Sequence, residues 1–249
     1  MTPEQAAAAN RALVLRVGGA FAECPQTLRR ARLLGLTGWQ FQITGRAGAL
    51  GEVGVEAVTA VLGFLAPEAV ADGWQPAHRE PRPEEVAMAS YLECCRWGNT
   101  HLAGLPQVER LAELTGRLVS AADATGMPLF AAWRARPIPD DTPAALLAAH
   151  LHLLREYFIE ANLLAVRASG ISPLGALLAR PDGEAEAVAA GWAPPYPPAG
   201  PLVRQRLWAE AVTDRLAGSA FGVLDVAERR EVTDLLAEAH EGLRTALRP

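Results

Sequence analysis

Residues 146 to 164, LLAAHLHLLREYFIEANLL, are apolar on nearly every face of a helix, yet they carry His150, His152, Arg155, Glu156, Glu160 and Asn162. A helix that is hydrophobic all round lies inside a protein rather than on its surface, and a charge taken inside has to be paired or used. Other helices must therefore wrap this segment. Its ends are marked by local chemistry: Asp141 or Thr142 stands at an N-cap with Pro143 in the first turn, and Gly170 closes the far end. The predicted helix, 143 to 168, is long enough to cross the body of the protein.

Helical periodicity also dominates the rest of the chain, and no run alternates β-branched and polar residues. The reading is an all-α protein, a single helical body around the central helix. Further helices are expected over 4–20, 25–34, 37–46, 52–65, 83–103, 106–125, 128–134, 172–179, 183–191, 201–218 and 225–246. The stretch GWAPPYPPAGP, 191 to 201, holds five prolines in eleven residues and marks a rigid linker or a lid. It separates a helical core, 1–190, from a C-terminal helix pair, 202–249, that packs on the core or on a partner.

Composition narrows the chemistry. All 23 basic residues are arginine, so no Schiff-base lysine and no P-loop lysine exists, and an anion must be held by arginine, backbone amides or helix N-termini. A formal net charge of -5 with no basic block lacks the footprint of a nucleic-acid binder. Cys24 and the vicinal Cys94 and Cys95 fit no zinc spacing and read as small buried hydrophobes in a reducing cytoplasm. No basic leader and no membrane-length apolar run occurs. The expectation is a cytoplasmic protein with no cofactor and no metal.

His152, Glu156 and Glu160 fall four residues apart and share one stripe. Two carboxylates so placed and buried repel each other, which raises the pKa of at least one and makes a general base or acid near neutrality. Three metal ligands from one helix would converge poorly. The structural alternative is that Arg155, Arg134 or Arg46 pairs the acids as glue. A second constellation, GLTGWQFQITGRAGALGEVGVEAV (35–58), sets Trp39, Gln40, Gln42, Thr44 and Arg46 on a short helix before a glycine-rich turn. Such a segment suits a small anion or carboxylate, though its glycines equally allow close helix packing. His78 and His240 read as solvent-facing, His101 as a helix end, and His150 as packed.

Two segments carry a family resemblance: 34–70, with Gly45, Arg46, Ala47, Leu50 and Gly51 as G-R-A-x-x-L-G, and 128–171, with a P-x-P-D-D segment and then L-L-R-E opening a buried run. In these the chain resembles a family from high-GC bacteria whose members have about this length and carry a general helix-turn-helix label. It departs from that family after L-R-E. Where members have a polar H-R-G-D-G-H run, this chain has Tyr157, Phe158, Ile159, Glu160, Ala161 and Asn162. The winged-helix-like region is shortened as well, with the proline segment in its place.

In size, composition and this divergence, the chain is similar to the larger subunit of aziridine-forming enzymes in azinomycin-type antibiotic pathways. That resemblance implies a cofactor-free displacement in which a substrate amine closes a three-membered ring and expels sulfate. In that reading Glu156 or Glu160 is the base, Arg46 and Arg155 hold the sulfate, and Trp39, Gln42, His152 and Asn162 orient a small-molecule substrate. It also implies a second protein subunit, or a homodimer, and no membrane or nucleic-acid partner. The competing class is a small-molecule-binding regulator or a non-catalytic binding protein.

Overall fold

Proline opens many of the helices, because its missing N–H costs nothing in a first turn and its fixed φ suits one. In the computed structural model, which describes residues 1–74 and 80–246, every regular element is helical. The elements are α1 (Pro3–Val17), α2 (Pro25–Leu33), α3 (Gly38–Ala47), α4 (Val55–Val61), α5 (Pro67–Gly73), α6 (Pro83–His101) and α7 (Val108–Ala121), followed by α8 (Pro128–Arg134), α9 (Pro143–Ala168), α10 (Pro173–Leu178), α11 (Gly183–Ala189), α12 (Val203–Phe221) and α13 (Val226–Ala246). Thr142 stands at the N-cap of α9, and Gly170 takes the left-handed conformation beyond its end, φ 80°. The fold is the expected all-α body around a central helix.

Two boundaries differ from expectation for local reasons. The helix predicted over 52–65 shrinks to α4, because Leu62 leaves helical geometry and Ala66 is extended before Pro67, the conformation a following proline imposes. The chain then restarts as α5, which the periodicity did not show. The helix predicted over 4–20 stops at Val17, and a short 3-10 turn, Ala20–Glu23, leads into α2. His78 lies outside the described residues.

α9 is the hub. It packs against α1, α6, α7, α8 and α12, and its residues from Ala144 to Val166 are mostly buried. Two glycines let neighbours reach its backbone. A Cβ on Gly98 of α6 would lie 2.5 Å from the Ala144 carbonyl oxygen, and one on Gly18, just past α1, 2.3 Å from that of Leu151. Around α9 the largest fully buried side chains are Trp133, Tyr91, Tyr157, Phe130 and Phe158.

The C-terminal pair lies on this core. α12 packs on α1 and α9, and α13 on α1 and α7, with Arg110 paired to Glu231, Arg117 to Glu228 and Arg11 to Asp214. The proline segment is tied at its start: the Trp192 indole donates to the Phe64 carbonyl at 3.0 Å, and the Tyr196 hydroxyl to the Trp192 carbonyl at 2.7 Å. Among the described residues no helix is long and apolar enough to cross a membrane.

Candidate functional site

The turn from α1 into α2 leaves a gap between α2, α3, α6 and α9, and this gap is a cavity of about 970 Å³, at the upper end of the size of small-molecule sites. Phe21, Trp39, Phe41 and Trp97 supply apolar wall; Arg46, Arg155, His152, Thr27 and Ser90 supply polar groups. Arg46 enters from the last turn of α3, and Arg155 and His152 enter from the middle of α9.

The two arginines share one acid. Arg46 Nε donates to both oxygens of Glu156, at 2.9 and 2.8 Å, with Nη2 2.7 Å from Oε2. Arg155 Nη1 donates to Oε1 at 2.6 Å. Burial alone would push the Glu156 carboxyl up, but the two guanidiniums outweigh it and hold it at about 2. Glu156 is therefore a fixed anion at neutral pH. One carboxylate cannot neutralise two guanidiniums, so one positive charge is left over at the cavity wall. Arg46 Nη2, despite its ion pair, has no aligned hydrogen-bond acceptor.

His152 sits in an aromatic box, edge-on to Phe21 and Trp133 with ring centroids 5.4 and 5.0 Å away. It is 5% exposed, and its Nδ1 has no partner. Burial lowers its pKa to about 4, so the ring is neutral. Thr27 Oγ1, on the α2 wall, is likewise buried without a partner. Unpaired buried polar atoms are rare in folded proteins and call for an explanation where they occur. Here two of them, on His152 and Thr27, belong to residues in the wall of one cavity.

The structure brings Arg46, Arg155, Trp39, Gln42 and His152 to that cavity, with Gln42 exposed at its rim. It does not bring the other three. Glu156 lies behind the arginines. Glu160, expected beside it as a base, points instead at the start of α8, accepting the Leu129 amide at 3.0 Å and the Phe130 amide at 2.7 Å. It caps that helix, and burial, outweighing these amides, raises its pKa to about 7. Asn162 donates to Thr213 of α12 at 2.9 Å. The glue alternative thus describes Glu156, with Arg46 and Arg155 as partners and without Arg134. The arginines expected to share one pocket with both acids line the cavity, and the acids do not.

Sequence reasoning missed Phe21, Cys24, Thr27 and Ser90. Cys24 and Thr27 lie at the head of α2, legible in the sequence only as a helix over 25–34 with Cys24 as a small buried hydrophobe, and the one available signal was that cysteine-proline helix start. Among the described residues no three His, Cys, Asp or Glu side chains gather as a metal site would require.

The model of a helix-turn-helix family matches residues 7–195. The chain belongs to that family. No curated protein and no solved structure matches it. The family span covers all of the cavity wall and ends before α12 and α13. Within it, the two segments that carry the resemblance meet: the Trp133 indole donates to the Arg46 carbonyl at 2.9 Å, and Arg136 to that of Ala49 at 3.0 Å. Tyr157, Phe158 and Asn162 face outward from the span, whereas Glu160 faces α8 within it. Tyr157 donates to the Leu216 carbonyl at 3.1 Å, Phe158 packs near Phe221, and Asn162 bonds Thr213, all on α12.

Proposed function

We propose that this chain is a small-molecule-binding protein whose cavity takes an organic acid with an apolar body, the acid group seated on Arg46 and Arg155. The observation that carries this reading is the uneven pairing of two guanidiniums with one buried carboxylate at the wall of a largely apolar cavity. Forked guanidinium donors suit a planar acid group, and the aromatic wall suits the rest of such a ligand. The family's general label favours DNA binding only weakly in this chain. α2, the turn with Gly35 and α3 have a helix-turn-helix order, but α3 is covered by α5 and α6, and among its residues only Gln42 is exposed.

Trp39 and Trp97 line the cavity and report on it. Titration with decanoate, followed by tryptophan fluorescence and calorimetry, is expected to saturate at one equivalent. Arg155→Gln is expected to weaken it about tenfold or more, the scale of one charge-assisted contact, while circular dichroism is unchanged. Absence of saturable binding, or an unaffected Arg155→Gln, overturns the reading.

The second reading is catalytic: a biosynthetic enzyme or enzyme subunit that closes an aziridine ring with loss of sulfate. What favours it is the same pair of cations, which suits a departing sulfate as well as a bound acid. In that reading the base is not a glutamate, since Glu156 is an ion pair and Glu160 a helix cap; the neutral, unpartnered His152 takes the amine proton. Free sulfate released from an amino-sulfate substrate, assayed with any protein encoded beside this one, tests it. Release that survives His152→Asn and Arg46→Lys undiminished counts against it.

A further inference from the structure

We infer that the cavity has a second oxyanion subsite at the N-terminus of α2, so that its ligand carries two acid groups rather than one; this rests on the acid-binding reading of Arg46 and Arg155. α2 begins at Cys24 as N-cap and Pro25 in the first turn, and no side chain caps it. The Cys24 thiol is turned to the Gln26 side-chain oxygen, 2.9 Å away. The first-turn amides of Gln26 and Thr27 therefore have no side-chain acceptor. Uncapped amides at a helix start, with the positive end of the helix dipole behind them, form an anion site.

Two side chains, independent of the backbone, point the same way. Thr27 is 1% exposed and its hydroxyl bonds nothing. His152, reaching the cavity from α9, is buried with Nδ1 unpaired. Both line the same cavity as Cys24, Pro25 and Gln26. A buried donor left unmade costs about 1–3 kcal/mol, and a ligand oxygen that reaches the Thr27 hydroxyl at the start of α2 removes that cost.

Net charge admits a ligand with one acid group or two. Arg16, Arg46 and Arg155 line the cavity against Glu23, with Glu156 behind them, and burial holds both histidines there, His101 and His152, below their ordinary pKa. Three cations against two anions leave one positive charge, to which the start of α2 adds about half a charge. A monoacid and a dianion each come within about half a charge of neutrality, so the donors decide: a monoacid leaves the second cluster unfilled, and a dianion fills both.

The test compares straight-chain diacids of about four to twelve carbons with the monoacids of equal length, by calorimetry on the full chain. At least one diacid is expected to bind about tenfold more tightly than its monoacid. Thr27→Val keeps the side chain's shape and removes only the unpaired hydroxyl, so it is expected to keep or raise the melting temperature and leave monoacid affinity intact while abolishing the diacid advantage. Gln26→Pro deletes one first-turn amide at a position where proline is tolerated and is expected to reduce the same advantage, which keeps the test open if Thr27→Val misfolds. If monoacids and diacids bind alike at every length, or if the advantage survives both substitutions, the second subsite falls and acid binding at the arginines stands. If no acid of either kind binds, the underlying reading falls with it.

Discussion

Glu156 and Glu160 are one helical turn apart and have opposite electrostatic fates. The first accepts from two guanidiniums and is held at about 2; the second is desolvated and raised to about 7 against two amide donors. The sign of the pH dependence follows. An acid whose pKa in the folded state lies above its ordinary 4.5 binds more protons folded than unfolded between those values. Its contribution to stability is then full below the lower value and is lost as pH rises through the upper one. The melting temperature of the wild type minus that of Glu160→Gln is therefore expected to shrink by several degrees between about pH 5 and about pH 7.5; scanning calorimetry checks this, and a constant difference refutes it. At this scale the sequence was half legible. Spacing placed both acids on one buried stripe, but what faces each acid is decided by residues 110 and about 30 positions away, beyond the reach of helical periodicity.

Helix boundaries were legible because they are written locally, in Pro143, Thr142 and Gly170, and the one unforeseen helix, α5, follows a proline that restarts the chain after a break at Leu62. How closely helices approach was not written that way. Gly98 sits inside α6, and only its neighbour's backbone explains it. Gly98→Ala would set a Cβ 2.5 Å from the Ala144 oxygen and 2.7 Å from the Ala148 methyl, neither of which is the free end of a flexible side chain. The expected cost is about 2–3 kcal/mol by denaturant unfolding. Gly104→Ala, with nothing within 4 Å of the added atom, is the control and is expected to change stability by less than about 0.5 kcal/mol. Equal effects of the two refute close packing of α6 on α9.

At the scale of the molecule, Tyr157, Phe158 and Asn162 belong together, because all three meet α12 beyond the end of the family span. Helical periodicity placed these positions in a buried run, but a single chain read along its length could not show that a later helix covers them. Truncation after residue 200 uncovers Tyr157 and Phe158, both about 1% exposed in the whole chain, and is expected to yield an aggregating protein without a cooperative thermal transition. A soluble, cooperatively folding truncation product refutes that dependence. One loop of contacts has a consequence for how the cavity meets its ligand. Arg46 grips Glu156; one turn on, Glu160 holds the head of α8; and Trp133 near the other end of α8 returns to the Arg46 carbonyl. The loop closes on itself like a triangulated frame, in which no joint swings without deforming the other two. The cation is aimed before anything enters, so a guest loses its own freedom without having to order its host, and a guest of the wrong outline finds a wall that does not yield.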